Sequence, residues 1–268
     1  MAVDQVSAPS PARDGRVPVD GVGFHPVTET QVVERVFDDL AGRRGGFLVT
    51  PNVDILRQLR RPSLRTLVER AHLVVADGMP VIWASRLAAR PLPERVTGSS
   101  LVQSLTSRAA SSGRTIFLLG GDPGIAERAA ERLSSDHAGL TVAGWHFPPF
   151  GFEKDPDAML EIRATLAAAS PDIVFVGLGF PKQEQLILSL HEEFPEIWFV
   201  ACGGGLTMAA GEVARAPGWA QRSGLEWTHR LVKEPRRLVR RYLVHDAPFA
   251  AGLLMRSFAS RFTRAADR

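Results

Sequence analysis

The chain has one cysteine, Cys202, in 268 residues. That excludes an intrachain disulfide and a cysteine-built zinc finger, and a reducing compartment is the natural expectation. No run of about 18 uncharged apolar residues occurs, so no bilayer-spanning helix is expected. The seven histidines show no metal-ligand spacing, and His191-Glu192-Glu193-Phe194 does not complete a zincin motif. There is no Gly-x-Ser-x-Gly nucleophile elbow. Lysine is scarce, with Lys154, Lys182 and Lys233 set against 29 arginines, which reads as codon bias. Met1 to Asp20 lacks the apolar centre of a secretory signal, and its Ala-Pro-Ser-Pro-Ala-Arg-Asp-Gly stretch reads as a disordered leader.

The remaining composition is that of a globular protein. Apolar residues make up 45% and charged residues 23%, which excludes a mostly disordered chain, a collagen or a small disulfide scaffold. The length suits one large α/β domain, or one domain with an appendage. Charge is unevenly spread. Between Arg222 and Arg268 stand eleven Lys/Arg against four Asp/Glu, a +7 tail on a body of −4. Such a tail suits a polyanionic partner, whether phosphate, nucleic acid or anionic lipid; a solvated helix face explains it equally well. The expected organisation is a leader (1–20), an α/β body (21–222) and a basic C-terminal appendage (223–268).

Short β-branched runs alternate with helical periodicity. Gly46 to Thr50, Leu73 to Ala76, Thr115 to Leu119, Leu140 to Ala143, Ile173 to Val176 and Ile197 to Val200 read as strands, several apolar without alternation, as strands covered on both faces are. Thr28 to Leu40, Pro123 to Leu133, Asp157 to Ala169 and Pro181 to Leu190 read as helices, the first opened by a Thr28/Gln31 capping box. Pro123 and Pro181 suit first-turn positions. The repetition predicts a Rossmann-like, mostly parallel sheet with helices on both faces, and ligands in such sheets bind beyond the carboxyl ends of the strands.

The residues just past those ends are therefore the candidates. Asp77 is a general base or a helix cap ahead of Pro80. Thr50 and Asn52 contact sugar hydroxyls or make turn and cap hydrogen bonds. Gln183 points into the cleft or is structural, whereas Glu184 and Asp54 suit helix first turns. Arg95, in a loop before a helix, clamps a diphosphate or makes a surface ion pair. Gly120 to Gly124 and Gly203 to Gly205 cradle phosphate or form tight βα turns. Asp155-Pro156-Asp157 imitates an Asp-x-Asp metal motif but is better explained as a helix cap.

Taken in order, several motifs resemble the WecG/TagA/CpsF glycosyltransferase family, glycosyltransferase family 26. They are Thr50-x-Asn52-x-Asp54, Asp77-Gly78, Glu94-Arg95-Val96-Thr97-Gly98, Gly177-x-Gly179-x-Pro181-Lys182-Gln183-Glu184, Gly211 with Arg215-Ala216-Pro217, and Gly224-Leu225-Glu226-Trp227-x-x-Arg230-Leu231 running into Glu234-Pro235-x-Arg237-Leu238-x-Arg240-Arg241-Tyr242. The resemblance spans about Gly21 to Tyr242.

It implies a membrane-associated inverting transferase moving an N-acetylhexosamine, its uronic acid or glucose from a UDP-sugar to a polyprenyl-diphosphate-linked saccharide, for cell-wall or exopolysaccharide assembly. It also implies no cofactor, no tightly bound metal and a location on the cytoplasmic face of the cell membrane, and it leaves a homo-oligomer open. By that resemblance Asp77 is the general base, Thr50, Asn52 and Gln183 line the sugar pocket, and Arg95 lies near the acceptor. Arg230, Arg237 and Arg240 neutralise the departing UDP diphosphate. The chemistry agrees, since inverting transfer needs one base and a stabilised leaving diphosphate. Where the family often reads Phe-Asp, this chain has Leu206-Thr207. Ala247 to Phe258 suits an interfacial amphipathic helix, or a helix packed on the body or a second subunit. A nucleotide- or nucleic-acid-binding protein with a basic tail, or an inactive member of the family, are the competing readings; the ordered motifs favour the transferase, without a nucleic-acid partner.

Overall fold

The computed structural model describes residues 15–213 and 244–263. Strands β1 (Val17–Val19) and β2 (Val22–Phe24) form an antiparallel hairpin, and α1 (Glu29–Ala41) follows. Then come β3 (Gly46–Val49), α2 (Val53–Gln58), α3 (Pro62–Glu69), β4 (Leu73–Val74), α4 (Met79–Leu87) and α5 (Gly98–Ser112). The second half continues with β5 (Thr115–Gly120), α6 (Ile125–Asp136), β6 (Thr141–His146), a 3-10 turn (Phe152–Lys154) and α7 (Pro156–Ala169). It goes on through β7 (Ile173–Gly177), α8 (Lys182–Glu193), β8 (Trp198–Ala201) and α9 (Gly205–Ala209), and α10 (Ala247–Thr263) is the last described helix.

The six strands β3 to β8 pair in the order β4-β3-β8-β7-β5-β6, and every pairing is parallel. Alternation along each strand divides the core in two. Phe47, Val49, Phe117, Leu119, Val174, Val176 and Phe199 point to one face, under α2, α3, α4, α7, α8, α10 and the hairpin. Leu48, Ile116, Leu118, Ile173, Phe175, Trp198 and Val200 point to the other, under α1, α5, α6 and α9. Both faces are apolar because both are covered, and each fully buried large side chain contributes about 1.5–3 kcal/mol. The expected three-layer, mostly parallel architecture is what the chain adopts.

Local chemistry explains most element starts. Thr28 Oγ1 accepts from Gln31 N at 3.2 Å and Gln31 Oε1 accepts from Thr28 N at 2.9 Å, closing the capping box of α1. Asp155 Oδ1 accepts from the backbone N–H groups of Asp157 and Ala158, so the Asp-Pro-Asp segment is a helix cap. Two prolines stand earlier than expected. α6 begins at Ile125 behind Gly124, beyond Pro123, and Pro181 occupies the N-cap position of α8.

The hairpin draws residues 17–19, read above as the end of a leader, into the fold, with Val17 and Val19 buried. Its two-residue turn, Asp20-Gly21, has φ of 48° and 80°, the signature of the turn that matches strand twist. The hairpin also covers the β4 edge of the sheet. His25 N donates to Val74 O at 2.8 Å, and Val74 N donates to His25 Nδ1 at 2.9 Å.

Candidate active site

Four adjacent strands end side by side, and their loops form one carboxyl edge. After β3, Thr50 is buried and its Oγ1 donates to Ala201 O of β8 at 3.4 Å. Asn52 is the N-cap of α2, with Oδ1 accepting from Ile55 N at 3.1 Å. The cap reading of Asn52 is thus realised, and its Nδ2 hydrogens stay uncommitted among the described residues. After β4, Asp77 N donates to Pro51 O at 3.2 Å, which sets Asp77 beside the Thr50–Asn52 turn. Gly78 (φ 128°), not Asp77, holds the N-cap position of α4, and a Cβ there would stand 4.0 Å from Asn52 Cβ. Asp77 itself is half-buried.

The loop entering α5 runs along the same edge. Val96 N donates to Ala76 O at 3.0 Å, so the half-buried Arg95 lies next to the end of the β4 segment. Gly98 then presses on the β8 loop: a Cβ at this position would meet Cys202 O at 2.8 Å and Cys202 Cα at 2.9 Å, an approach only glycine allows.

Gln183 differs most from its expected place. It is 3% exposed, so it does not stand open in a cleft. Its Oε1 accepts from Gly179 N at 3.2 Å and from Gly203 N at 3.1 Å, joining the loops after β7 and β8. Its Nε2 donates to Glu184 Oε1 at 2.9 Å. Glu184 is more than a first-turn acid. It is 1% exposed, its Oε2 has no hydrogen-bond partner among the described residues, and burial pushes its carboxyl up to about 7. The helical period carried the signal, because Gln183 shares a face with Ile187 and Leu190, both in the core.

Other expected residues fall elsewhere. Arg230, Arg237 and Arg240 lie outside the described residues. Asp54 pairs with Arg57 in α2, as a first-turn acid can. Leu206 of the departing Leu206-Thr207 pair is fully buried, and a Cβ at Gly177 would come within 2.8 Å of its Cδ1. Leu206 therefore has an apolar packing role, and Thr207 beside it is half-buried. Among the described residues no three His, Cys, Asp or Glu side chains gather as a metal site needs, and no helix is long and apolar enough to cross a membrane.

A parallel sheet with helices on both faces, whose glycine-rich and polar loops meet at one carboxyl edge, defines an α/β protein of the doubly wound class, a class in which ligands bind at that edge. Comparison with known proteins makes this specific. The chain belongs to the glycosyl transferase WecG/TagA/CpsF family, whose model matches residues 17–263. A relative from Bacillus spizizenii is 33% identical over 195 residues, covering 72% of this chain and 74% of its own. One from Staphylococcus aureus (strain MW2) is 30% identical over 228 residues, covering 84% and 87%. Both are named N-acetylglucosaminyldiphosphoundecaprenol N-acetyl-beta-D-mannosaminyltransferase.

Proposed function

We propose that this chain is an inverting, metal-independent transferase that moves an N-acetylhexosamine from a UDP-sugar to a GlcNAc-diphosphate-polyprenol, or a saccharide built on it, during cell-wall or exopolysaccharide assembly. The observation that carries this reading is the meeting of Asp77, Asn52 and the Arg95 loop at one sheet edge in a chain with family identity across the body. The relatives' names favour N-acetylmannosamine as the transferred sugar and lipid-linked N-acetylglucosamine as acceptor.

In this reading the Asp77 carboxylate takes the proton from the acceptor hydroxyl. The hydroxyl oxygen bonds to the anomeric carbon as the bond from that carbon to the UDP β-phosphate oxygen breaks, and UDP leaves with the electron pair. Aspartate is a weak base, so its placement contributes most of the effect. Asn52 Nδ2 is the donor available for a sugar hydroxyl. Thr50 and Gln183 shape the pocket floor rather than contacting sugar. Arg95 approaches the acceptor, and Arg230, Arg237 and Arg240 meet the diphosphate with charge-assisted hydrogen bonds.

The acceptor is lipid-linked, so the enzyme works at the cytoplasmic face of the membrane. The support is α10, one side of which packs on α4 while Met255, Phe258 and Phe262 stay exposed near basic Arg256 and Arg261. Trp83 and Leu87 of α4 are exposed as well.

The test is UDP release from a panel of UDP-sugars, with a short-chain polyprenyl-diphosphate-GlcNAc acceptor and EDTA present. Acceptor-dependent release from one UDP-N-acetylhexosamine is the expected result. Release only when a divalent cation is restored would refute metal independence, and no release from any donor would refute the transferase reading.

A further inference from the structure

We propose that Glu184 is a positioning residue of the transfer site, which through Gln183 fixes the loops after β7 and β8 against each other. This rests on the transferase reading for its consequence, and on hydrogen-bond chemistry for its geometry.

A glutamine amide has nearly the same shape in either orientation, but its two ends are opposites: the oxygen accepts and the nitrogen donates. In Gln183 the oxygen receives two backbone donors, Gly179 N at 3.2 Å and Gly203 N at 3.1 Å. Rotated by half a turn, the amide would set its own N–H groups against those two. The orientation is selected at the other end, where Nε2 donates to Glu184 Oε1 at 2.9 Å. A carboxyl oxygen that accepts there cannot exchange for a donor without leaving the buried Nε2 and the two half-buried backbone N–H groups without acceptors.

The consequence reaches the reacting groups. Gly203 follows Cys202, whose backbone lies against Gly98 with no room for a Cβ. Gly98 opens α5, and the preceding Val96 N donates to Ala76 O, one residue before Asp77. A loose amide at Gln183 therefore shifts the β8 loop, and with it the α5 entrance alongside the base. Burial also holds the Glu184 carboxyl up to about 7, so near neutral pH it brings less negative charge to loops that must receive an anionic diphosphate.

The experiment compares Glu184→Ala, Glu184→Gln, Gln183→Ala and the Gln183→Ala/Glu184→Ala double variant. It measures kcat and KM for the UDP-sugar and, separately, amide hydrogen exchange at Gly179 and Gly203. Glu184→Ala should lower kcat/KM about 30-fold, mostly in kcat, because misplacement on the ångström scale costs up to about a hundredfold. Glu184→Gln, whose carbonyl still accepts from Gln183 Nε2, should recover to within about threefold of wild type. The double variant should be no worse than Gln183→Ala alone, the non-additivity of two residues acting as one unit.

Exchange at both glycines should quicken in Glu184→Ala and not in Glu184→Gln. Losses that multiply in the double variant, or unchanged exchange in Glu184→Ala, would overturn the proposal. If wild type transfers from no UDP-sugar, the functional reading fails while the exchange arm still decides whether Glu184 holds the loops. Should Glu184→Ala not fold, Glu184→Met keeps the volume and removes the acceptor, and the same outcomes apply.

Discussion

Asp20, at the tip of the β1–β2 hairpin, accepts a hydrogen bond from Arg256 Nη2 in α10 at 2.9 Å, joining positions 236 residues apart. Arg60 of the α2–α3 connection reaches the same carboxylate at 3.3 Å. Both guanidinium groups lie over the Phe249 ring, at 4.7 Å for Arg60 and 5.7 Å for Arg256. One ring and one carboxylate therefore clamp two cations and fasten the last described helix to the body.

The clamp predicts the behaviour of Asp20→Asn. Asparagine tolerates the left-handed backbone that Asp20 adopts, so the turn survives and only the charge is lost. Stability should fall by about 1 kcal/mol, a modest value because Arg60 and Arg256 are half-exposed and solvent screens them. Hydrogen exchange in α10 should quicken more than in the sheet. Uniform quickening across both would mean that the ion pairs do not hold α10 in particular.

Asp77→Asn tests the assignment of the base. The substitution keeps shape and hydrogen-bonding reach and removes basicity. We expect kcat to fall by about 10²–10⁴-fold, the range for a lost general base, with UDP affinity by calorimetry within about threefold of wild type. Full transfer by the variant would remove Asp77 from that role.

Much of this was legible in the sequence for physical reasons. The apolar runs of β5 and β7, buried on both faces, could hardly be anything but strands, and Thr28 with Gln31 marked a helix start. The site loops followed from the rule that ligands gather at carboxyl ends. What stayed hidden depended on tertiary partners. The three-residue strands of the hairpin were lost beside a leader-like composition, although Asp20-Gly21 between Val19 and Val22 was a turn signal. α5 is rich in Ser and has a weak periodic pattern. Gln183 reads equally as a cleft residue or a structural one until Gly179 and Gly203 are brought to its oxygen from two different loops.

Buried Glu184 and half-buried His191 give stability a pH dependence of opposite sign. Glu184 is held up to about 7 by burial, against a usual value near 4.5. The folded state keeps that proton where the unfolded chain has lost it, so its contribution is full below about pH 4.5 and is lost as pH rises through 7. His191 is held down to about 4, first by burial and then by its neighbour His72, whose ring lies 5.0 Å away. The unfolded chain takes up a proton below about 6.5 that the folded one refuses, so stability falls as pH drops from there through 4. Between about pH 4.5 and 6.5 the two slopes oppose each other. Glu184→Gln should expose a rise in stability with pH over this interval, and His191→Phe should expose a fall approaching about 1.4 kcal/mol per pH unit. Urea unfolding at four pH values reads both, and parallel pH profiles for wild type and either variant would refute the corresponding assignment.

Gly98→Ala probes the meeting of two site loops. The added methyl would stand 2.8 Å from Cys202 O and 2.9 Å from Cys202 Cα, both backbone atoms that cannot rotate away. Alanine is the better helix former, and at an open first-turn position it would stabilise α5. Here the overlap dominates, so the variant should lose about 1–3 kcal/mol, the usual cost of overpacking. Relief can come only by parting the α5 entrance from the β8 loop, which moves Val96 and Ala76 together with the Asp77 segment. kcat should therefore fall along with stability, even in protein that remains fully folded at the assay temperature. A variant that melts lower yet transfers at the wild-type rate would show that the position of the β8 loop is not coupled to the base.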